Sequence, residues 1–382
     1  MKRALFIGYY PNQADLYNRV FFKNLVEAIA DTGVECHVLA PVSITKYRAK
    51  TKMIPKKVVE ITSKQNAVYV YHPRYISYSS KRLGPIHTGR WSEYAFQKCA
   101  IRYMRKLNLE FDFVYGHFFL SGGFTAVKIG NKLNIPSFIA FGECDYENEV
   151  KRAFDELKPK YINGLTGVVS VSTRNANILK DLGIFNDIPV LIAPNAIDTS
   201  LFYKRDKLEC RKKLGMPENK FIVGFVGSFT ERKGDKRLLK AVEELDDVYL
   251  AYAGKGNESP QGEKVLFCKA LSHDDIPIFL NAIDVFCLPT LNEGSCNAIV
   301  EAAACQVPII SSDLPFNDDL LNATNSIRID PMSIEQIKKS IKNLYDDSQK
   351  RNTLAVNVFE DAKRFTIERR AQGILEFIKS CK

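Results

Sequence analysis

No apolar run in the 382-residue chain approaches the ~20 residues that a membrane-spanning helix needs. The opening Met1, Lys2 and Arg3 have the charge of a signal peptide, but the apolar stretch behind them is too short and reads better as a buried first strand. Histidines number five and stand apart. Cysteines number nine, an odd count, with no CxxC pair. That scatter argues against a zinc site and a disulfide framework, and for a reducing cytoplasm. Cys287 and Cys305, inside apolar stretches, read as small buried hydrophobes. Neither a GxGxxG run nor the GxxxxGK(S/T) spacing of a phosphate loop occurs. Short repeats and low-complexity tracts are absent as well.

The length points to two domains. A hydrophobic content of 46% with 26% charged residues fits a globular protein. The formal net charge of +10 admits nucleic acid, an anionic membrane surface or an anionic substrate. The densest basic stretch, Lys46 to Lys57, contains Pro55 and follows a strand, so it reads as a loop or irregular helix. It is either a solvated face or a patch that docks on anionic lipid, where each Lys or Arg is worth about 1 kcal/mol.

Apolar segments of strand and helix period alternate from the start, which predicts α/β architecture with parallel sheets. Strands are expected at 4–9, 35–39, 67–71, 113–117, 137–141, 168–171 and 190–192. Helices are expected at 20–31, 91–107, 122–133 and 173–182. A turn at Pro194 to Asp198 and an exposed linker precede a second series, with strands at 221–227, 248–253, 264–267 and 308–311. Its helices are expected at 237–244, 276–282, 334–346 and 370–379. Two doubly wound domains facing across a cleft follow, at 1–198 and 199–365, with a closing helix within 366–382 packing back on the first.

The most informative segment is Glu293, Gly294, Ser295, Cys296 and Asn297, running on to Glu301. A short apolar strand ended by Pro289 precedes it, and an Ala-rich helix carries Glu301. Free N–H groups from Gly294 to Ala298 suit a phosphate, and the two carboxylates suit the hydroxyls of a polyol. Phosphate plus polyol describes a sugar nucleotide. A second constellation runs from Gly227 and Ser228 to Arg232, Lys233 and Gly234, where adjacent cations could neutralise a diphosphate. In the first domain His117 ends a strand before a Gly-rich turn. Gly142 and Glu143 follow the next strand, as a helix cap or a contact for an acceptor hydroxyl.

These motifs, with Pro194 to Asp198, Phe202, Pro308, Ser312 and Asp313, resemble the family 4 retaining glycosyltransferases of the GT-B fold. The resemblance spans nearly the whole chain. It implies transfer of a sugar, with retention, from a nucleoside diphosphate donor, UDP or GDP, to a hydroxyl of a glycan or lipid-linked acceptor in surface polysaccharide synthesis. It implies no cofactor and no metal, and a cytoplasmic location at the inner face of the membrane. Glu301 is implied on the ribose, and Glu293 and His117 near the transferred sugar. The amides of Gly294, Ser295, Cys296 and Asn297 would hold sugar and diphosphate beside Gly227 and Ser228, with Lys233 on the diphosphate. The family usually carries Arg directly after the glycine at 227; here Ser228 stands there and Arg232 is the nearby cation. The first-strand loop, with Asn18 and Arg19 as acceptor-side candidates, lacks the family's glycine pair. A GT-B sugar-nucleotide epimerase and a basic nucleic-acid-binding protein are the alternative readings.

Overall fold

The computed structural model describes residues 1–15, 19–84, 86–151 and 158–381. The chain divides into two compact units. Unit 1 comprises Met1–Pro194 and Ile367–Lys382, and unit 2 comprises Asn195–Thr366. The boundary falls at 194/195 rather than the expected 198/199. Asn195 is bonded to Ser295, and the Ile197 N–H donates to the Phe365 carbonyl at 3.0 Å, so the linker's first residues belong to unit 2.

Unit 1 is built on an eight-stranded sheet. Its strands are β1 (Arg3–Ile7), β2 (Glu35–Leu39), β3 (Lys57–Ile61), β4 (Ala67–Tyr71), β5 (Phe113–His117), β6 (Ser137–Phe141), β7 (Gly167–Ser170) and β8 (Val190–Ile192). They lie in the order β8-β7-β6-β5-β1-β2-β4-β3, and all pairs are parallel except β3 with β4. Every residue of β5 and β6 is buried, as expected of central parallel strands covered on both faces. Helix α1 (Val20–Ala30) buries Phe22, Leu25, Val26 and Ile29, an i, i+3, i+4, i+7 stripe. Helix α2 (Thr88–Leu107) starts three residues before the expected Trp91. Helix α3 (Phe124–Leu133) starts two residues late, after an irregular turn over Phe118–Gly123, kinked at Leu120 and Ser121, in which Phe118 and Ser121 have φ of 64° and 61°. The closing helix Ile367–Ser380 packs against α1, and Phe377 meets Phe138 edge-on.

Unit 2 has a six-stranded parallel sheet. Its strands are β9 (Phe221–Val226), β10 (Val248–Ala253), β11 (Val265–Lys269), β12 (Val285–Leu288), β13 (Ile309–Ser312) and β14 (Ser326–Ile329). The order is β11-β10-β9-β12-β13-β14. Strand order reverses between β9 and β12, so the crevice beyond their carboxyl ends is where such a sheet takes a ligand. The loops at those two ends lead into α4 (Asp235–Glu243) and α5 (Asn297–Ala304). They carry the Gly227–Gly234 and Glu293–Asn297 segments.

Candidate active site

Unit 2 brings the two motif loops into contact. Gly227 has φ of 152° and Gly234 φ of 80°, both in the region that favours glycine. A Cβ on Gly234 would lie 2.6 Å from the Pro289 carbonyl oxygen, so this close approach of loops also needs glycine. Arg237, buried in the first turns of α4, pins the junction. Its guanidinium donates to the carbonyls of Pro331, Glu231 and Pro289 at 2.8, 2.8 and 2.9 Å.

At this junction the two cations and one carboxylate form a single cluster. Lys233 Nζ and Arg232 Nη1 lie 2.7 and 2.6 Å from the same oxygen, Glu293 Oε1. Thr290 Oγ1 donates to that oxygen at 2.8 Å. Burial pushes the Glu293 carboxyl up, but Lys233 and then Arg232 outweigh it and hold it below the usual carboxylate range. Burial also pulls Lys233 down, while Cys296 and Glu293 raise it, and the net shift is upward. Glu293 is thus ionised and Lys233 protonated at neutral pH. The expected division, cations to a diphosphate and Glu293 to a sugar, is therefore joined by direct pairing of the groups. Ser228 is exposed beside this cluster, and Arg232 is the second cation.

Helix α5 begins at Asn297 with Cys296 as its N-cap, and no side chain caps it. Its first-turn N–H groups form a positive end beside the cluster. Burial raises the Cys296 thiol to about 11, which leaves it neutral. Gly294 is buried. Ser295 is fixed by Asn195: its Oγ accepts from the Asn195 N–H at 3.1 Å and its carbonyl from Asn195 Nδ2 at 3.1 Å. Glu301 is mostly buried one turn further along α5, with His273 Nε2 3.5 Å from its carboxylate. Burial lowers the His273 pKa, but Glu301 outweighs it and the net shift is upward.

Unit 1 places its candidates around Phe118. The Arg19 guanidinium carbon lies 4.2 Å from the Phe118 ring centroid, and the His117 ring meets Phe118 edge-on at 4.4 Å. His117 also stacks on Phe22 at 4.5 Å. Burial, then Arg19 and Arg370, hold the imidazole well below its ordinary pKa, so it is neutral. A Cβ on Gly142 would sit 3.1 Å from Phe118. Glu143, read as a helix cap or an acceptor contact, turns inward onto backbone N–H groups. Its carboxylate accepts from the N–H of Phe119 at 2.6 Å and of Gly142 at 3.1 Å, and it is only 2% exposed. It holds the turn after β5 rather than presenting oxygens to an acceptor. Asn18 lies outside the described residues.

Thr290, Arg237, Asn195 and His273 took no individual part in the sequence reading of the site. A buried polar residue just after an apolar strand was the signal for Thr290. Nothing local marks the role of Arg237, which reaches Pro289 and Pro331 far along the chain, or of His273, whose partner is Glu301.

Residues 206–361 match the family described as Glycosyl transferases group 1. TuaC of Bacillus subtilis (strain 168), a glycosyltransferase whose name assigns it to teichuronic acid biosynthesis, is 24% identical over 359 residues, covering 89% of this chain and 88% of TuaC. LpsE of Rhizobium meliloti (strain 1021), named a lipopolysaccharide core biosynthesis glycosyltransferase, is 30% identical over 154 residues, covering 38% of this chain and 45% of LpsE. Among solved structures, sucrose-phosphate synthase from Thermosynechococcus elongatus superposes with a TM-score of 0.79 at 16% identity, over 100% of this chain and 99% of that one. Anabaena HepE in complex with UDP gives 0.71 at 16% identity, over 100% of both chains. The match over residues 206–361, together with relatives named glycosyltransferases, supports a glycosyl-transferring enzyme, and the structural likeness makes its architecture GT-B, with two Rossmann-like domains.

Proposed function

We propose that this glycosyltransferase moves a sugar, with retention of anomeric configuration, from a nucleoside diphosphate donor to a hydroxyl of a glycan or lipid-linked acceptor in surface polysaccharide assembly. The observation that carries the reading is the Arg232, Lys233 and Glu293 cluster at the uncapped start of α5, at the switch point of the unit 2 sheet. As the bond from the sugar's C1 to the diphosphate breaks, negative charge grows on the leaving oxygen. Two fixed cations and a helix N-terminus stabilise that charge more than they stabilise the bound donor, which is what lowers a barrier. The acceptor oxygen forms the new bond to C1, and its proton passes to the departing diphosphate oxygen, which has taken the bonding pair. Glu301 takes the ribose hydroxyls and Glu293 the sugar. UDP and GDP are the expected nucleotides; HepE was solved with UDP. The names of TuaC and LpsE support a polysaccharide acceptor.

Among the described residues, no helix is long and apolar enough to cross a membrane. The basic stretch forms the short helix Ile44–Tyr47 and a 3-10 turn at Arg48–Met53, with Lys46, Arg48, Lys50, Lys52, Lys56 and Lys57 all exposed. Ile44 and Met53 are exposed beside them. This surface supports peripheral contact with anionic lipid, at the inner face of the cell membrane.

Titration with UDP and GDP tests the donor site. One of them should raise the thermal transition, because a ligand bound only by the native state stabilises it. Lys233→Ala should lose most of that rise and all transfer. NMR of the product should show the donor's anomeric configuration. Stabilisation by neither nucleotide, or full activity of Lys233→Ala, overturns the assignment.

A further inference from the structure

On unit 1 a groove of about 730 Å³ lies between α2 and the chain that follows β4, a size that suits a small ligand. Its apolar lining includes Ile44, Ile76, Ala95 and Tyr103. Ile44 and Ile76 are 44% and 53% exposed. Around this lining stand Lys56, Lys98, Arg102 and Lys106, all exposed. None of these four forms an ion pair among the described residues, and no carboxylate lines the groove. Arg74, also at the groove, has its guanidinium engaged by the carbonyls of His72, Thr51 and Ile54.

Lys98, Arg102 and Lys106 recur every four residues and form one stripe of α2. Ala95, Cys99 and Tyr103 form the apolar stripe beside it. Like charges at i, i+4 destabilise a helix, so a triple cation stripe with no carboxylate partner is a local cost. An anion above the stripe offsets that cost. An apolar chain in the same groove covers the exposed isoleucines. One molecule meets both demands: an amphiphile with an anionic head.

We propose that this groove binds a single anionic lipid, its acyl or isoprenoid chain along Ile44, Ile76, Ala95 and Tyr103 and its phosphate on Lys98, Arg102, Lys106 and Lys56. Charge complementarity and the apolar lining select this occupant over a flat bilayer, which presents no single chain to a concave seat. The binding stands on the groove alone. Its meaning as the seat of a lipid-linked acceptor rests on the function proposed above, and the two fail separately, because the binding assay needs neither donor nor transfer.

The test is calorimetric titration of the full chain with decyl phosphate below its micelle concentration. Decyl maltoside and inorganic phosphate serve as controls. Decyl phosphate should bind at least roughly tenfold more tightly than either control. K98E/R102E should weaken it at least roughly tenfold, since each cation near an anionic lipid head contributes appreciably. A95W, which fills the apolar lining, should weaken it while leaving the charges in place. Thermal transitions near that of the wild type show that the variants are folded. Decyl maltoside binding equally well overturns head-group recognition. Inorganic phosphate binding equally well overturns the lipid. Unchanged affinity in both folded variants places the site elsewhere. Should either variant fail to fold, the comparison of the three ligands on the wild type still decides.

Discussion

Glu293→Gln and Lys233→Ala should not behave alike, although both remove half of an ion pair. The Lys233 and Glu293 side chains are each 12% exposed and Arg232 is 39% exposed. Removing the carboxylate leaves two neighbouring cations facing each other, one of them with little access to solvent. Breaking a buried pair in this way costs about 3 kcal/mol or more, and the half-exposed Arg232 adds at most about 1 kcal/mol. Removing Lys233 instead leaves Glu293 with Arg232 at 2.6 Å and Thr290 at 2.8 Å, so roughly half that loss is expected. At about 2–4 °C per kcal/mol for a unit of this size, Glu293→Gln should lower the unit 2 transition by roughly 6–16 °C and Lys233→Ala by clearly less. Nucleotide binding should show the reverse order. Glu293→Gln frees both cations, so it should bind UDP or GDP at least as tightly as the wild type while losing transfer. Lys233→Ala should lose affinity. Calorimetry and thermal denaturation on the two variants decide this. If Glu293→Gln loses nucleotide affinity along with Lys233→Ala, the carboxylate does not compete with diphosphate for the cations and the reasoning is wrong.

Arg237→Lys gives up a fork that serves three carbonyls, and should cost about 2–4 kcal/mol and weaken nucleotide binding although no nucleotide contact is removed; denaturant unfolding and calorimetry check both. Gly234→Ala should cost about 2 kcal/mol or more, because a left-handed φ alone costs about 1–2 kcal/mol and the new Cβ meets the Pro289 carbonyl; a stability near the wild type would contradict the loop geometry. The His273 pKa is raised in the folded protein by Glu301, so its contribution is full below the ordinary value of about 6.5 and fades as pH rises through the folded value. His273→Gln should therefore narrow its stability gap to the wild type on going from pH 5.5 to pH 8.5. Burial raises Glu143 to about 8, so unit 1 should lose stability as pH climbs from about 4.5 toward 8. Glu143→Gln, which still accepts from the Phe119 N–H, should flatten that slope.

Central strands were legible to the residue. Phe113–His117 and Ser137–Phe141 are apolar runs closed by Gly or His, and the structure has them at those bounds. The antiparallel edge strand was not. Lys57–Ile61 alternates exposed and half-buried residues on the antiparallel edge, and its charges read as the end of a basic loop. The polar helices Lys207–Leu214 and Ser348–Ala362 lack a strong apolar stripe and went unpredicted. At the site, glycine and proline marked where the loops turn, so Gly227, Gly234 and Pro289 were readable. Which groups touch was not. That Arg232 and Lys233 share one oxygen of Glu293, or that Glu143 turns inward to Phe119, depends on approach of segments that only the fold brings together.

The closing helix Ile367–Ser380 has a consequence for how the protein is made. Unit 1 places Phe377 against Phe138 and, within 2.9 Å of where a Gly167 Cβ would stand, leaves room only for hydrogen. Its buried residues Ile367, Arg370, Ala371, Ile374 and Ile378 emerge from the ribosome after all of unit 2. Unit 2, an unbroken stretch of chain, can complete its core while unit 1 still exposes the surface that this helix covers. Synthesis order and folding order are thus inverted for the two halves, and the unit made first is the one that waits exposed to chaperones and proteases.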